Sequence, residues 1–156
     1  MTEARDLLSG IVGEWQGRYR VWLEPPAVHT DCRSMLHIEP LLDGRFVSGD
    51  YDWASGGATE HAPSSVEGQP QTGSFMLGCS TAGEWQMAWV DSWHNGDSIL
   101  FSTGGPEPKV TGTYAETWGW RTEFELREPD HLVITAYNIT PDGEEQIATE
   151  GDYRRT

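Results

Sequence analysis

The stretch Gly13-Glu14-Trp15-Gln16-Gly17-Arg18-Tyr19-Arg20-Val21-Trp22-Leu23 decides the fold. Successive side chains of an extended chain point to opposite faces. Trp15, Gly17, Tyr19, Val21 and Leu23 therefore share one face, and Glu14, Gln16, Arg18 and Arg20 share the other. An apolar face backed by a charged one predicts a strand lying half in a core.

Upstream, Thr2 to Val12 reads as the one helix. Leu7, Leu8, Ile11 and Val12 recur at helical spacing, and Gly10 and Gly13 close the segment. Downstream the period stays at two, and turn residues recur every ten or so positions. The predicted strands are Glu14–Leu23, Arg33–Leu42, Arg45–Trp53, Thr72–Ser80, Glu84–Trp93, Ser98–Ser102, Lys109–Thr113, Thr117–Arg127, His131–Ile139 and Glu144–Arg154. Asp43-Gly44, Ala82-Gly83, Asn95-Gly96, Pro129-Asp130 and Pro141-Asp142-Gly143 supply hairpin turns between neighbours. Strands without crossover helices lose their edges by closing on themselves. The expected fold is all-β: a single domain over residues 1–156, a closed antiparallel up-and-down β-barrel of eight to ten strands. One connection, residues 55–71, is longer than a hairpin needs and is expected to be a loop, either a lid over one mouth or a plain surface excursion.

With 10 basic against 25 acidic residues, the formal charge is −15. A field of that sign repels phosphate backbones and anionic headgroups, which argues against nucleic-acid and membrane-surface binding. The N-terminal stretch has neither a signal-peptide core nor a membrane span, so a cytoplasmic location is expected. Cys32 and Cys79 have no CxxC spacing and are expected to be reduced. A homodimer is compatible with the sequence.

Eight tryptophans load a short chain heavily. The predicted inner faces carry Trp15 and Tyr19 on the first strand. Trp85, Met87, Trp89, Asp91 and Trp93 follow on the fifth, and Tyr114, Glu116, Trp118, Trp120, Thr122, Phe124 and Leu126 around the eighth. So many rings imply an aromatic-walled pocket with a few polar points. Trp15, Tyr19, Trp89, Asp91, Trp93, Trp118 and Trp120 are its candidate ligand-binding residues. A carboxylate between tryptophans, such as Asp91, belongs to the class of groups enriched at functional sites. The competing role for Asp91 is structural, capping the Ser92–Gly96 turn or pairing with an arginine.

No nucleophile elbow, Walker loop, dinucleotide fingerprint or HExxH helix occurs. An acid–base enzyme needs only a cavity and one or two placed groups, for which Asp91, Glu116, His37 and Tyr19 are the candidates. His37 and Glu39 share a strand face without a third convergent ligand, so no metal site is expected.

Gly13-Glu14-Trp15 opening the first strand, with Arg154 or Arg155 in the last, resembles the Gly-x-Trp and closing arginine of calycins. In those barrels the ring and the guanidinium stack across one end. Leu8-x-x-x-Val12-Gly13-x-Trp15-x-Gly17, Leu42-Asp43-Gly44-Arg45-Phe46, Gly78 and Trp89-Val90-Asp91-Ser92 are similar to a bacterial domain-of-unknown-function family with a lipocalin-like barrel. That resemblance runs through nearly the whole chain and implies a fold and little else. A more distant resemblance is to nitrobindin, a ten-stranded barrel that binds haem through a histidine near its C-terminal strands. It would offer His131, or failing that His37, to haem, although Arg18, Tyr19 and Arg20 stand where further alternating glycines are expected.

The leading functional expectation is a small-molecule-binding barrel for an apolar or amphipathic ligand, without a cofactor. A cofactor-free cyclase or isomerase acting on a hydrophobic natural-product-like substrate is the alternative, and haem binding a second one.

Overall fold

The computed structural model describes residues 2–55 and 69–156. In chain order they form α1 (Thr2–Gly10), β1 (Gly13–Glu24), β2 (Ala27–Leu41), β3 (Phe46–Ser55), β4 (Gln69–Cys79) and β5 (Trp85–Asp91). The second half holds β6 (Leu100–Gly104), β7 (Lys109–Tyr114), β8 (Trp118–Glu128), β9 (His131–Ile139) and β10 (Glu145–Arg155). Every strand pairs antiparallel with its sequence neighbours, and β1 pairs with β10, with Trp15 opposite Arg155 and Tyr19 opposite Gly151. The sheet is thus the closed up-and-down barrel that the alternation predicts. No described helix is long and apolar enough to cross a membrane.

Odd strands start and even strands finish at one end of the barrel, which is stoppered. Leu8 of α1 and Ile11, just past its end, are buried there with Trp15, whose indole N–H donates to the Ile11 carbonyl at 2.9 Å. The Arg155 guanidinium covers the other side of the ring, its carbon 4.2 Å from the centroid. It also donates to the carbonyls of Val12 (2.7 Å) and Gly10 (2.6 Å), using the acceptors that the end of the helix leaves open. Gly13 has φ +135°, and a Cβ there would sit 2.5 Å from Arg155 Nη1, so the motif needs glycine at this position.

Of the two arginines the motif offers, the closing cation is Arg155. Tyr153 points inward, so Arg155 shares its face while Arg154 points out to Glu128 and Asp130.

Several other expectations change. The segment His29-Thr30-Asp31-Cys32, which lies between the predicted strands Glu14–Leu23 and Arg33–Leu42, belongs to the first half of a long β2. Thr30, Cys32 and Ser34 face inward, and their small polar side chains hide the strand pattern. Leu23 lies beyond the core and is 58% exposed. Glu116 does not join an inner face: with Ala115 it forms the turn between β7 and β8, at φ +66° and +46°, and is exposed. The two ends of the expected 55–71 loop, Ser55 and Gln69–Gln71, are strand, and its body lies outside the described residues. Cys32 and Cys79 are free thiols, the first buried and the second partly so.

Candidate functional site

The barrel interior is packed by rings but not filled. Tyr19, Tyr51, Phe75, Trp89, Trp120 and Phe124 line a cavity together with Leu36, Met87, Ile134 and Ala136. Its polar points are few: the hydroxyls of the two tyrosines, Thr122, Thr149 and Tyr153. The free space between these side chains is small, a cavity of about 40 Å³.

At the end opposite Trp15, one carboxylate organises the rim. Asp91 is the last residue of β5 and is 1% exposed. Its Oδ2 accepts the Tyr51 hydroxyl at 2.6 Å and the Trp53 indole N–H at 3.2 Å. Its Oδ1 accepts the backbone N–H of Trp93 (2.8 Å) and of His94 (3.2 Å), and meets His94 Nδ1 at 3.1 Å. Burial works to raise this carboxyl's proton affinity, but the His94 hydrogen bond and charge, the Tyr51 hydroxyl and the Trp93 N–H outweigh it. The group is held below the ordinary carboxylate range and is ionised at neutral pH. Asp91 thus caps the turn that follows it, one of the roles its position suggested, and also ties that turn to β3.

The network continues into the cavity. The Trp89 indole N–H donates to the Tyr51 oxygen at 2.8 Å, so this hydroxyl accepts from one side and donates to Asp91 on the other. Burial first, then the neighbouring Tyr19 and the Asp91 charge, push the Tyr51 hydroxyl well above its usual range and keep it a donor. Tyr19 is raised in the same way, by burial and then by Asp91. Its ring stacks on Tyr51 at 5.7 Å and lies 5.0 Å from Trp53.

Of the ligand-binding candidates named from sequence, Tyr19, Trp89 and Trp120 line the cavity, and Asp91 adjoins it through Tyr51. Trp15 does not line it, because it belongs to the stopper at the far end. Trp93, one turn past the strand, is 39% exposed and packs on Trp53 and His29 at the rim. Trp118 is half-buried beside Tyr114, outside the cavity lining. Of the acid–base candidates, only Asp91 and Tyr19 face the interior. His37 lies on the outer face between Glu14 and Glu39, which raise its proton affinity. His131 points outward to Asp152 at 2.8 Å, so neither histidine offers an imidazole to the cavity.

Three residues central to the site, Tyr51, Trp53 and His94, are not among the sequence candidates. Tyr51 is legible in retrospect, since Tyr51 and Trp53 alternate with Asp50 and Asp52 on β3. His94 lies outside any strand. Its ring packs against Trp120 (5.4 Å), Trp89 (5.5 Å) and Trp53 (5.9 Å), and its side chain is 14% exposed.

Residues 1–155 match the model of a family described as "Protein of unknown function (DUF1579)". The chain belongs to this family. No curated protein sequence matches it. Among solved structures it resembles Rv2717c from M. tuberculosis, with TM-score 0.63, 10% identity, and coverage of 98% of this chain and 97% of that one. It also resembles the S-type phycobiliprotein lyase CPES from Guillardia theta, with TM-score 0.60, 10% identity, and coverage of 97% and 91%. A de novo designed fluorescence-activating β-barrel gives TM-score 0.50, 14% identity, and coverage of 97% and 98%. At such identities the likeness is one of fold.

Proposed function

We propose that this barrel binds a small apolar or amphipathic molecule in its interior, entering at the Asp91 end. The observation that carries the reading is the unfilled space between rings at the centre of an otherwise close-packed barrel, with a few hydroxyls to orient an occupant. Barrels of similar fold serve as a phycobiliprotein lyase and as a designed fluorescence-activating protein, which is in keeping with use of the lumen.

The space is small, so a ligand of more than a few heavy atoms enters only as rim side chains move aside. Binding is favoured over the cyclase or isomerase alternative by the state of Asp91. A carboxylate with low proton affinity and donors on both oxygens is an anchor, and a poor base. Haem finds no imidazole from His131 or His37 in the interior.

A saturable change in tryptophan emission with an uncharged apolar probe such as N-phenyl-1-naphthylamine or 1-octanol tests the reading. Ala136→Leu places extra carbons in the cavity and is expected to weaken binding. Equal affinity in a folded Ala136→Leu protein, or no saturable response to either probe, overturns it.

A further inference from the structure

The His94 ring occupies a box. Trp89 and Trp120 stack in parallel, with centroids 5.1 Å apart and planes 16° from each other, and the imidazole sits against both. Trp53 packs against it as a third aromatic wall, and the Asp91 carboxylate meets Nδ1. Aromatic rings beside a single anion form a site that prefers a cation, because the π-systems and the carboxylate both attract positive charge. Among the described residues, the cavity lining contains no Lys or Arg.

Resting on the binding reading above, we infer that this box receives a cationic nitrogen, an ammonium or imidazolium borne on an apolar tail, and that His94 is the resident side chain the ligand displaces. Trp89 and Trp120 line both the box and the cavity, so a cationic head in the first places the tail in the second. Displacement leaves Asp91 supported. The Tyr51 hydroxyl, the Trp53 indole and the backbone N–H groups of Trp93 and His94 still donate to it when the imidazole leaves. The turn itself stays tied down by Asn95, whose side chain bonds Asp91 N at 2.7 Å and Trp89 O at 2.9 Å. The ring can therefore swing out without unfolding the loop that carries it. The acidic surface of the molecule adds long-range attraction for the same sign of charge.

The test compares octyltrimethylammonium, 1-octanol and octyl sulfate below their micellar range, at moderate ionic strength, by tryptophan emission and calorimetry. The ammonium is expected to bind about tenfold tighter than octanol or more, with octyl sulfate weakest. Asp91→Asn should reduce the ammonium-to-octanol ratio to near one, while Glu125→Gln, which removes one charge from the exposed outer face, should leave it unchanged. If Asp91→Asn does not fold, Trp120→Leu replaces it with the same expectation. His94→Ala should raise the ratio about threefold or more, since the ligand no longer competes with the ring. Octanol binding as tightly as the ammonium in the wild type, or His94→Ala leaving the ratio unchanged, overturns the cation site while the binding reading stands. No saturable binding of any of the three overturns both.

Discussion

The Arg155 guanidinium carbon lies 4.2 Å from the centroid of the Trp15 indole, across the seam where β1 meets β10. The ring is fully buried and the cation is tied to three backbone carbonyls, those of Gly10, Val12 and Pro129, so one pair links the β1–β10 seam to the seat of α1. Trp15→Ala should cost about 3–5 kcal/mol in urea denaturation. A double-mutant cycle with Arg155→Ala should return a coupling of about 0.5–2 kcal/mol. Arg154→Ala should stay within about 0.5 kcal/mol of the wild type. Coupling of Trp15 to Arg154 in place of Arg155 would contradict this account of the seam.

Two glycines distinguish a clash from conformational strain. A Cβ on Gly17 would lie 1.8 Å from the Asp152 carbonyl oxygen, so β1 and β10 have to separate at their centre. Gly44 has φ +79° with nothing within 4 Å of an added Cβ. Gly44→Ala should cost about 1–2 kcal/mol, the penalty for a left-handed residue with a side chain. Gly17→Ala should cost more, on the order of 3 kcal/mol, and should loosen amide exchange protection along β1 and β10. Similar costs at the two sites would remove the steric explanation.

The thiols should differ in reactivity. Burial pushes the Cys32 thiol up, outweighing the backbone N–H of Ala54 and the charge of Arg18 that favour its thiolate. Thiolate is the reacting form, and Cys32 is 1% exposed. Native protein treated with a thiol-reactive disulfide is expected to be modified at Cys79 alone, with Cys32 reacting only on unfolding. Mass mapping of the modified peptides checks this.

How far the sequence could be read depends on where each residue stands relative to a strand end. Within β1 and β5, successive side chains alternate between the two faces, which places Tyr19, Trp89 and Asp91 with the inward rings, because a period of two leaves no freedom while the strand continues. Past a strand end the rule has no force. Trp93 was carried inward by parity, but β5 stops at Asp91, and Glu116 was carried inward although two left-handed residues turn the chain there. His94 was illegible for the same reason: its position is set by the Asp91 cap and not by a pleat. The helix and the Gly-x-Trp motif were plain, yet choosing between Arg154 and Arg155 required the face of Tyr153, which is one residue of register.

The depressed proton affinity of Asp91 gives the last prediction its sign. A carboxyl whose folded pKa lies below its unfolded value contributes stability that is fully present above the unfolded value, near pH 4, and lost as pH falls through the folded one. Asp91→Asn removes the charge behind the bonds from Tyr51, Trp53, Trp93 and His94, and should destabilise the protein by about 2–3 kcal/mol at neutral pH. Tyr51→Phe removes one donor to Asp91 and the acceptor of the Trp89 indole, and should cost about 1–2 kcal/mol. Because the two residues share a 2.6 Å hydrogen bond, their effects should be less than additive. Guanidinium denaturation between pH 7 and pH 3 should show the gap between wild type and Asp91→Asn constant down to about pH 5 and shrinking below pH 4. A gap that stays constant to pH 3, or widens, would mean that Asp91 does not enter the folded state as the ionised centre of this network.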